Sequence, residues 1–483
     1  MDNLLPPEAR KNILQKITPT QSEIDLQREV ISELRESLKN YADGIQQSYS
    51  FIEPQGSTGK KQTQLRGTSD IDLFVALEPD DYKRVLSLPN KQRDVELDKA
   101  LEKMIDNWFI PTCKKLNISK FVKTYSQHPY LTFEFRNNNV DLLICFDLSK
   151  DTIAASGPIT AVDRTVHHSN FVAERIDAKL REDIRILKSF TRASYAYGDV
   201  CAVGQMGFTG YSLELLVLFK GGLRQALKAL QDLSNTPLDP LNRPLSDLTE
   251  LPAFRDNLLF IIDPTDTNRN VASSFSERSY KWLRKRIMDL FEIPTEKSNV
   301  FIDMIIEKPI STNEIPSWFA SHSYVFEFQS DGSLHYTVLR DKIHRLARRI
   351  ATNLEKERTG EERFGKTLYE VFFEEDRYAL GFVMEQTQAS ETYSRRGPPI
   401  SIPEADNFRK AHPQTYERDG YLWVDETRKW IDALQMIDTM IAKNPVKGLA
   451  IEEVLSDVGR RVLNILLKCA LPVEPDFQLK AIV

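Results

Sequence analysis

Two aspartates separated by one residue, Asp70 and Asp72, stand at the head of an apolar run, LFVAL, and a turn of small and basic residues opening with Gly56 and Ser57 leads into them. Alternate residues of a strand share a side, so the two carboxylates fall together while Ile71 faces a core. Adjacent carboxylates repel each other and lose solvation when buried, so the pair calls for a cation. Carboxylate oxygens, with phosphates completing the shell, suit Mg²⁺. Gly56 and Ser57 let main-chain N–H groups approach a phosphate closely. The competing reading is a surface turn before a strand with two solvated acids, and a third carboxylate decides between them. Asp141, near the start of VDLLICF, is that residue if its strand lies beside the first; otherwise it is a strand-end acid facing water. Three carboxylates on one sheet edge have the geometry for two metal ions on a triphosphate.

The elements that must hold these groups are signalled around them. Thr18, Pro19 and Gln21 have the spacing of a capped helix start, followed by a stripe of Ile24, Val30, Ile31, Leu34 and Leu38. A charge-rich helical segment over 81–107 precedes three candidate strands, 118–126, 130–136 and 140–146. From residue 151 the pattern turns helical, and GYSLELLVLF reads as a helix buried on most sides. VFEFQSD and LHYTVLRD read as paired strands. A helix follows with Lys342, Arg345, Arg348 and Arg349 on one side and Ile343, Leu346, Ala347 and Ile350 on the other. Arg395 and Arg396 precede Gly397-Pro398-Pro399 and are placed on a stiff turn, where they could meet phosphate. A terminal helix over 449–468 carries Ile451, Val454, Val458, Val462 and Leu466.

Composition bounds the rest. A chain of 483 residues has material for three or four domains. The net charge of −6 argues against a uniformly basic protein but leaves room for a local basic face. Cys113, Cys145, Cys201 and Cys469 form no C-x-x-C pair and read as reduced thiols, not a zinc site or disulfide framework. No run approaches the roughly 18 apolar residues of a membrane span, and the N-terminus has no signal-peptide core, so a cytoplasmic protein without a membrane partner is expected.

The chain resembles the archaeal-type (class I) CCA-adding tRNA nucleotidyltransferases of the polymerase-β superfamily. The resemblance is carried by GSTGKKQTQLRGTSDIDLF, QHPY (127–130), VDLLICF, AVDRTVHH (161–168), REDIRILKSF (181–190), YAYGDV (195–200), GFTGYSLELL (207–216), DPTDTNRNVA (263–272), RRGPP (395–399) and 411–430, nearly the full length in the family's order. It implies an α+β multidomain fold: a polymerase-β-like catalytic head of mixed sheet and helices (1–150), a helical neck (151–262), an α/β body (263–320 and 405–483) and a tRNA-binding tail (321–404). It implies template-independent addition of C, C and A to the 3′ end of tRNA from CTP and ATP, with Mg²⁺ on Asp70, Asp72 and Asp141. Ser57, Lys60, His167, Lys188 and Tyr197 would hold the nucleotide and Arg269 would read its base. Three of these have a plainer reading: His167 as a cap or core histidine, Lys188 as a solvated charge, Arg269 as a structural arginine tied to an aspartate. The body and tail, with Lys342, Arg345, Arg349, Arg395 and Arg396, would grip the acceptor stem and elbow. A homodimer is left open. A poly(A) polymerase or a nucleotide second-messenger synthase could use the same head, and a non-catalytic RNA-binding protein is the alternative of another class.

Overall fold

A computed structural model of the chain describes residues 4–67, 70–125, 128–452 and 456–479. Thr68 and Ser69 of the turn, Ser126 of the first candidate strand, Gln127 of QHPY, and Val454 of the expected terminal helix lie outside the described residues. The chain forms two compact units, Met1–Val200 with Met206–Lys308, and Cys201–Gln205 with Pro309–Val483.

The first unit holds a five-stranded mixed sheet. Its strands are β1 (Phe51–Pro54), β2 (Ile71–Leu77), β3 (Phe121–Tyr125), β4 (Pro129–Phe135) and β5 (Asn138–Phe146), in the order β1-β2-β5-β4-β3. Only β2 and β5 run parallel; the other pairs are antiparallel. After Asp72, β2 is buried at every position to Leu77, which is why LFVAL reads as a continuous apolar run and not an alternating one. The helix Gln21–Ile45 lays Val30, Leu34 and Leu38 into the same core as Ile71, Leu73 and Val75. Its capping box is Thr20 with Glu23, two residues later than the expected Thr18 with Gln21. Thr18 instead closes a preceding helix, Pro7–Ile17, which buries Ile13 and Ile17.

A helical part follows in the same unit. Thr165–Ala173, Ala178–Ala193, Gly210–Lys220, Leu223–Gln231, Glu277–Phe291 and Ser298–Ile305 contribute to it. Ile184, Leu187, Phe190, Leu213, Leu216, Leu227, Leu283 and Ile287 share one core. A short hairpin, β6 (Ile262–Asp263) and β7 (Asp266–Asn270), projects from it.

The second unit carries β8 (Ser323–Ser330), β9 (Thr367–Glu374), β10 (Arg377–Met384), β11 (Thr392–Pro399), β12 (Tyr416–Arg418), β13 (Tyr421–Thr427) and β14 (Leu449–Glu452). They form two sheets, β14-β8-β10-β9 and β11-β13-β12. Four expectations change here. LHYTVLRD is not a strand: Tyr336–Glu355 is one helix, because Leu339, Ile343, Leu346 and Ile350 recur at helical spacing and are all buried. β8 pairs instead with β10 and β14. The terminal helix does not begin at 449, since Leu449–Glu452 extends the sheet and leaves Ile451 half exposed. The helix Asp457–Ile465 starts only after Ser456, whose side chain caps it. Arg395 and Arg396 lie on β11, not on a turn, and the ladder breaks register just after them, at Gly397-Pro398. β11 pairs with β13 across the expected 404/405 boundary, so one sheet spans the division drawn between tail and body. Among the described residues no helix is long and apolar enough to cross a membrane, and all four cysteines are buried.

Candidate active site

Asp72 and Asp141 face each other as register partners across the parallel β2–β5 step. Asp70 stands one residue ahead of β2, exposed, with its carbonyl accepting from Thr58 Oγ1 at 3.2 Å. On the other side of Asp141, Thr132 of β4 donates its hydroxyl to Asp141 Oδ1 at 2.7 Å and fixes the carboxylate's rotation. The turn from Gly56 closes over this edge. Gly56 has φ +62°, and a Cβ there would sit 2.0 Å from Asp72 Oδ2, so only glycine lets the main chain pass this close. Burial and the neighbouring carboxylates of Asp141 and Asp70 push Asp72 up to about 7, with Lys61 pulling the other way. Burial and Asp70 also raise Asp141, against the Thr132 bond. A crowded, all-oxygen donor set that holds protons this tightly fits a divalent cation, which would relieve the repulsion. Among the described residues no three His, Cys, Asp or Glu side chains form a ready-made metal cage.

Beside the carboxylates opens a cavity of about 720 Å³, in the range of small-molecule sites. Gly56, Ser57, Lys188, Tyr197 and Arg269 line it, as expected. Lys60 and His167 do not. Lys60 is exposed and turns to Glu53 at 3.0 Å, and His167 Nε2 pairs with the Leu148 carbonyl at 2.8 Å. Their neighbours Lys61 and His168 line the cavity instead. For His168 a signal existed: in the helix Thr165–Ala173 the buried residues are His168, Ser169 and Val172, and the 168/172 spacing marks the inward face. For Lys61 no periodicity helps, because the turn is irregular.

Lys188 is not a solvated charge. It is buried, and its Nζ donates to Glu214 Oε1 at 2.7 Å and to Thr63 Oγ1 at 3.0 Å. Lys61 Nζ meets the other oxygen of Glu214 at 2.9 Å. Glu214 was missed by sequence reasoning, although an acid inside GYSLELLVLF demands a buried cationic partner. Tyr197, also at this wall, is pushed up to about 12 by burial and by Glu214.

Arg269 comes from β7 and donates from Nη1 to Asp263 Oδ2 at 3.1 Å. The plainer reading, a bond to an aspartate, is thus present, yet the side chain is 36% exposed and faces the cavity. Asp263 also accepts from His168 Nε2 at 2.7 Å, from the Tyr211 hydroxyl at 3.1 Å and from Thr265 N–H at 2.9 Å. Burial opposes its charge, but the His168 and Thr265 bonds outweigh that and hold it well below the usual carboxylate range. Burial lowers His168, against its bond to Asp263, and its ring stacks on Tyr211 at 4.2 Å.

In the second unit the helix Tyr336–Glu355 shows Arg345, Arg348 and Arg349 exposed and Lys342 half-buried. Arg349 donates to Asn444 Oδ1 at 2.8 Å. Arg395 is committed to Glu426 at 2.8 Å, whereas Arg396 is exposed and lies 4.6 Å over the Tyr421 ring.

Residues 182–301 match the family model described as tRNA nucleotidyltransferase, second domain. The chain is 24% identical over 447 residues to the CCA-adding enzyme of Sulfolobus acidocaldarius, covering 92% of this chain and 91% of the relative. It is 29% identical over 295 residues to that of Pyrobaculum neutrophilum, covering 59% and 63%. With that of Thermococcus kodakarensis it shares 31% identity over 285 residues, 56% of each. The match therefore spans nearly all of the first relative and less than two thirds of the other two. A solved cytoplasmic RNA terminal U-transferase is similar over 63% of this chain, at 12% identity and a TM-score of 0.44. Along almost its whole length the chain is similar to archaeal CCA-adding enzymes, and its helical part carries the second domain of a tRNA nucleotidyltransferase.

Proposed function

We propose that this chain adds C, C and A, without a template, to the 3′ end of tRNA, using CTP and ATP and releasing pyrophosphate. The observation that carries the reading is the register pairing of Asp72 with Asp141, with Gly56 pressed against Asp72 at the rim of a nucleotide-sized cavity. Asp70, Asp72 and Asp141 would hold Mg²⁺, which when bound stabilises charge on the attacking and leaving oxygens. Asp141, kept in one orientation by Thr132, is the group that positions the primer 3′-hydroxyl and takes its proton. Gly56 and Ser57 offer main-chain N–H groups to the triphosphate. Lys61, braced by Glu214, takes the phosphate role first expected of Lys60; Lys188 acts through the same carboxylate. Tyr197 packs against the sugar. Arg269, gripped on one edge by Asp263, turns its other edge to the base, where a planar fork matches paired acceptors.

In the second unit Lys342, Arg345, Arg349 and Arg396 meet the tRNA backbone. Shape and phosphates are what they read, since the deep major groove of A-form RNA excludes side chains. Arg395, already paired with Glu426, contributes less. The nucleotide groups all come from one chain, so nothing in this reading requires a second copy. A cytoplasmic setting accords with cysteines buried as thiols.

Incubation with Mg²⁺, labelled CTP or ATP, and tRNA lacking its 3′ end tests the proposal. Ordered CCA addition is expected. Long poly(A) tails would indicate a polymerase, RNA-free dinucleotides a messenger synthase, and no product a binding protein.

A further inference from the structure

Two arginines open into the cavity, and the reading above uses one. Arg164, at the start of the helix Thr165–Ala173, lines the same wall. Its Nε–H is donated to Asp266 Oδ2 at 2.7 Å, and the two side chains are 18% and 4% exposed. Asp266 is itself fixed, because its Oδ1 accepts the Asn268 N–H at 3.2 Å. It stands opposite Asp263 in the β6–β7 ladder. The hairpin therefore grips two guanidinium groups, Arg269 by Asp263 and Arg164 by Asp266.

The Nε bond leaves the four N–H groups on Nη1 and Nη2 of Arg164 without a protein acceptor among the described residues. Arg164 lines the cavity and its side chain is 18% exposed, so these donors are open to water or to a ligand that can accept from them. The chemistry of that ligand follows from charge. Arg164 and Asp266 are neutral as a pair, whereas Lys61 and Lys188 share one carboxylate and leave a positive charge in excess at the Ser57 end. Phosphates are drawn to that end. The hairpin end, with Arg269, Asn268 and Asn270 also on the cavity wall, is left for the nucleoside.

We propose that Arg164 is a second nucleotide-contacting arginine, donating from its Nη edge to paired acceptors on the nucleoside part of the incoming nucleotide, with Asp266 as its positioning residue. This rests on the nucleotidyltransfer reading. The test is equilibrium binding of CTP and of inorganic tripolyphosphate to the full chain with Mg²⁺. Arg164→Met is expected to weaken CTP binding by about ten-fold or more, the usual effect of losing charged hydrogen bonds, and to leave tripolyphosphate within about two-fold. Arg164→Lys, which keeps the charge and loses the fork, should resemble Arg164→Met. Because Arg164→Met strands a buried acid, the double variant Arg164→Met/Asp266→Asn is measured as well, and should show the same CTP loss with a melting temperature nearer wild type. CTP bound by the double variant as tightly as by wild type overturns the proposal, and so does an equal loss for CTP and tripolyphosphate. A wild type that shows the expected binding pattern yet extends no RNA would sink the transfer reaction and leave this contact standing.

Discussion

Replacing Glu214 by glutamine removes one charge and almost no volume. Its carboxylate, 1% exposed, accepts from Lys61 at 2.9 Å, Lys188 at 2.7 Å and Thr63 Oγ1 at 2.6 Å. Burial alone would raise it; the two ammonium groups overcome that and draw it down from 4.5 to about 2. A gap of about 2.5 pH units, at ~1.36 kcal/mol each, corresponds to roughly 3 kcal/mol. The variant also leaves two ammonium groups, 7% and 3% exposed, facing each other without their counter-charge. Breaking a buried pair in this way costs about 3–5 kcal/mol, so Glu214→Gln is expected to lose that much stability. Urea unfolding followed by tryptophan fluorescence, with an unchanged m-value, measures it. The sign with pH follows from the depressed value. The stabilisation is complete above about pH 4.5 and disappears as pH falls toward 2, so the gap between wild type and variant shrinks by about half near pH 3. Adding Lys61→Met to the variant removes one stranded cation and should recover part of the loss. Stability within about 0.5 kcal/mol of wild type at pH 7, or a gap that does not change on acidification, would refute the reasoning.

Asp72→Ala is expected to abolish nucleotide incorporation while tRNA binding, measured by filter retention, stays within a few-fold; a fully active variant removes the two-metal assignment. Gly56→Ala places a methyl group 2.0 Å from Asp72 Oδ2 on a residue at φ +62°, so the carboxylate must move. Single-turnover rates should fall by about 100-fold, the usual penalty for misplacing a catalytic group by an ångström, and an unchanged rate would show that Asp72 need not sit where it does. Arg269→Ala should lower discrimination among CTP, ATP, UTP and GTP more than it lowers pyrophosphate release with any one of them, and equal losses for all four would make it purely structural.

The placement of the carboxylates at one sheet edge was legible because these residues break a pattern. Carboxylates at Asp70, Asp72 and Asp141 interrupt apolar strands, and burial on both faces of β2 leaves little else for LFVAL to be. Where two patterns overlap, local reading chose wrongly. Thr18-x-x-Gln21 and Thr20-x-x-Glu23 both have capping spacing, and the deciding fact is the burial of Ile13 and Ile17, which puts Thr18 at the end of another helix. LHYTVLRD is rich in β-formers, yet its Leu339 begins a stripe that becomes visible only over the longer window to Ile350. At Leu449–Glu452 the apolar residues fit a helix as well as a strand, and the ladder to β8 decides. Lys60 and Lys61 differ only in which way an irregular turn points them, a tertiary fact with no local signature.

What the cavity has in common along its walls is that each cation is already held by an acid. Lys61 and Lys188 share Glu214, Arg164 has Asp266, and Arg269 and His168 share Asp263. Those acids are each 4% exposed or less, so the pairs are formed on folding and their side-chain entropy is lost then and not on binding. Donors fixed in advance need little reorganisation when the nucleotide arrives. The same pairing weakens long-range attraction for the nucleotide, because little net charge faces solvent. Affinity for it must then come from short-range geometry, which is also what distinguishes one base from another. A site that read bases without a template, as proposed, would need that balance: a cavity bristling with unpaired cations would hold every triphosphate alike.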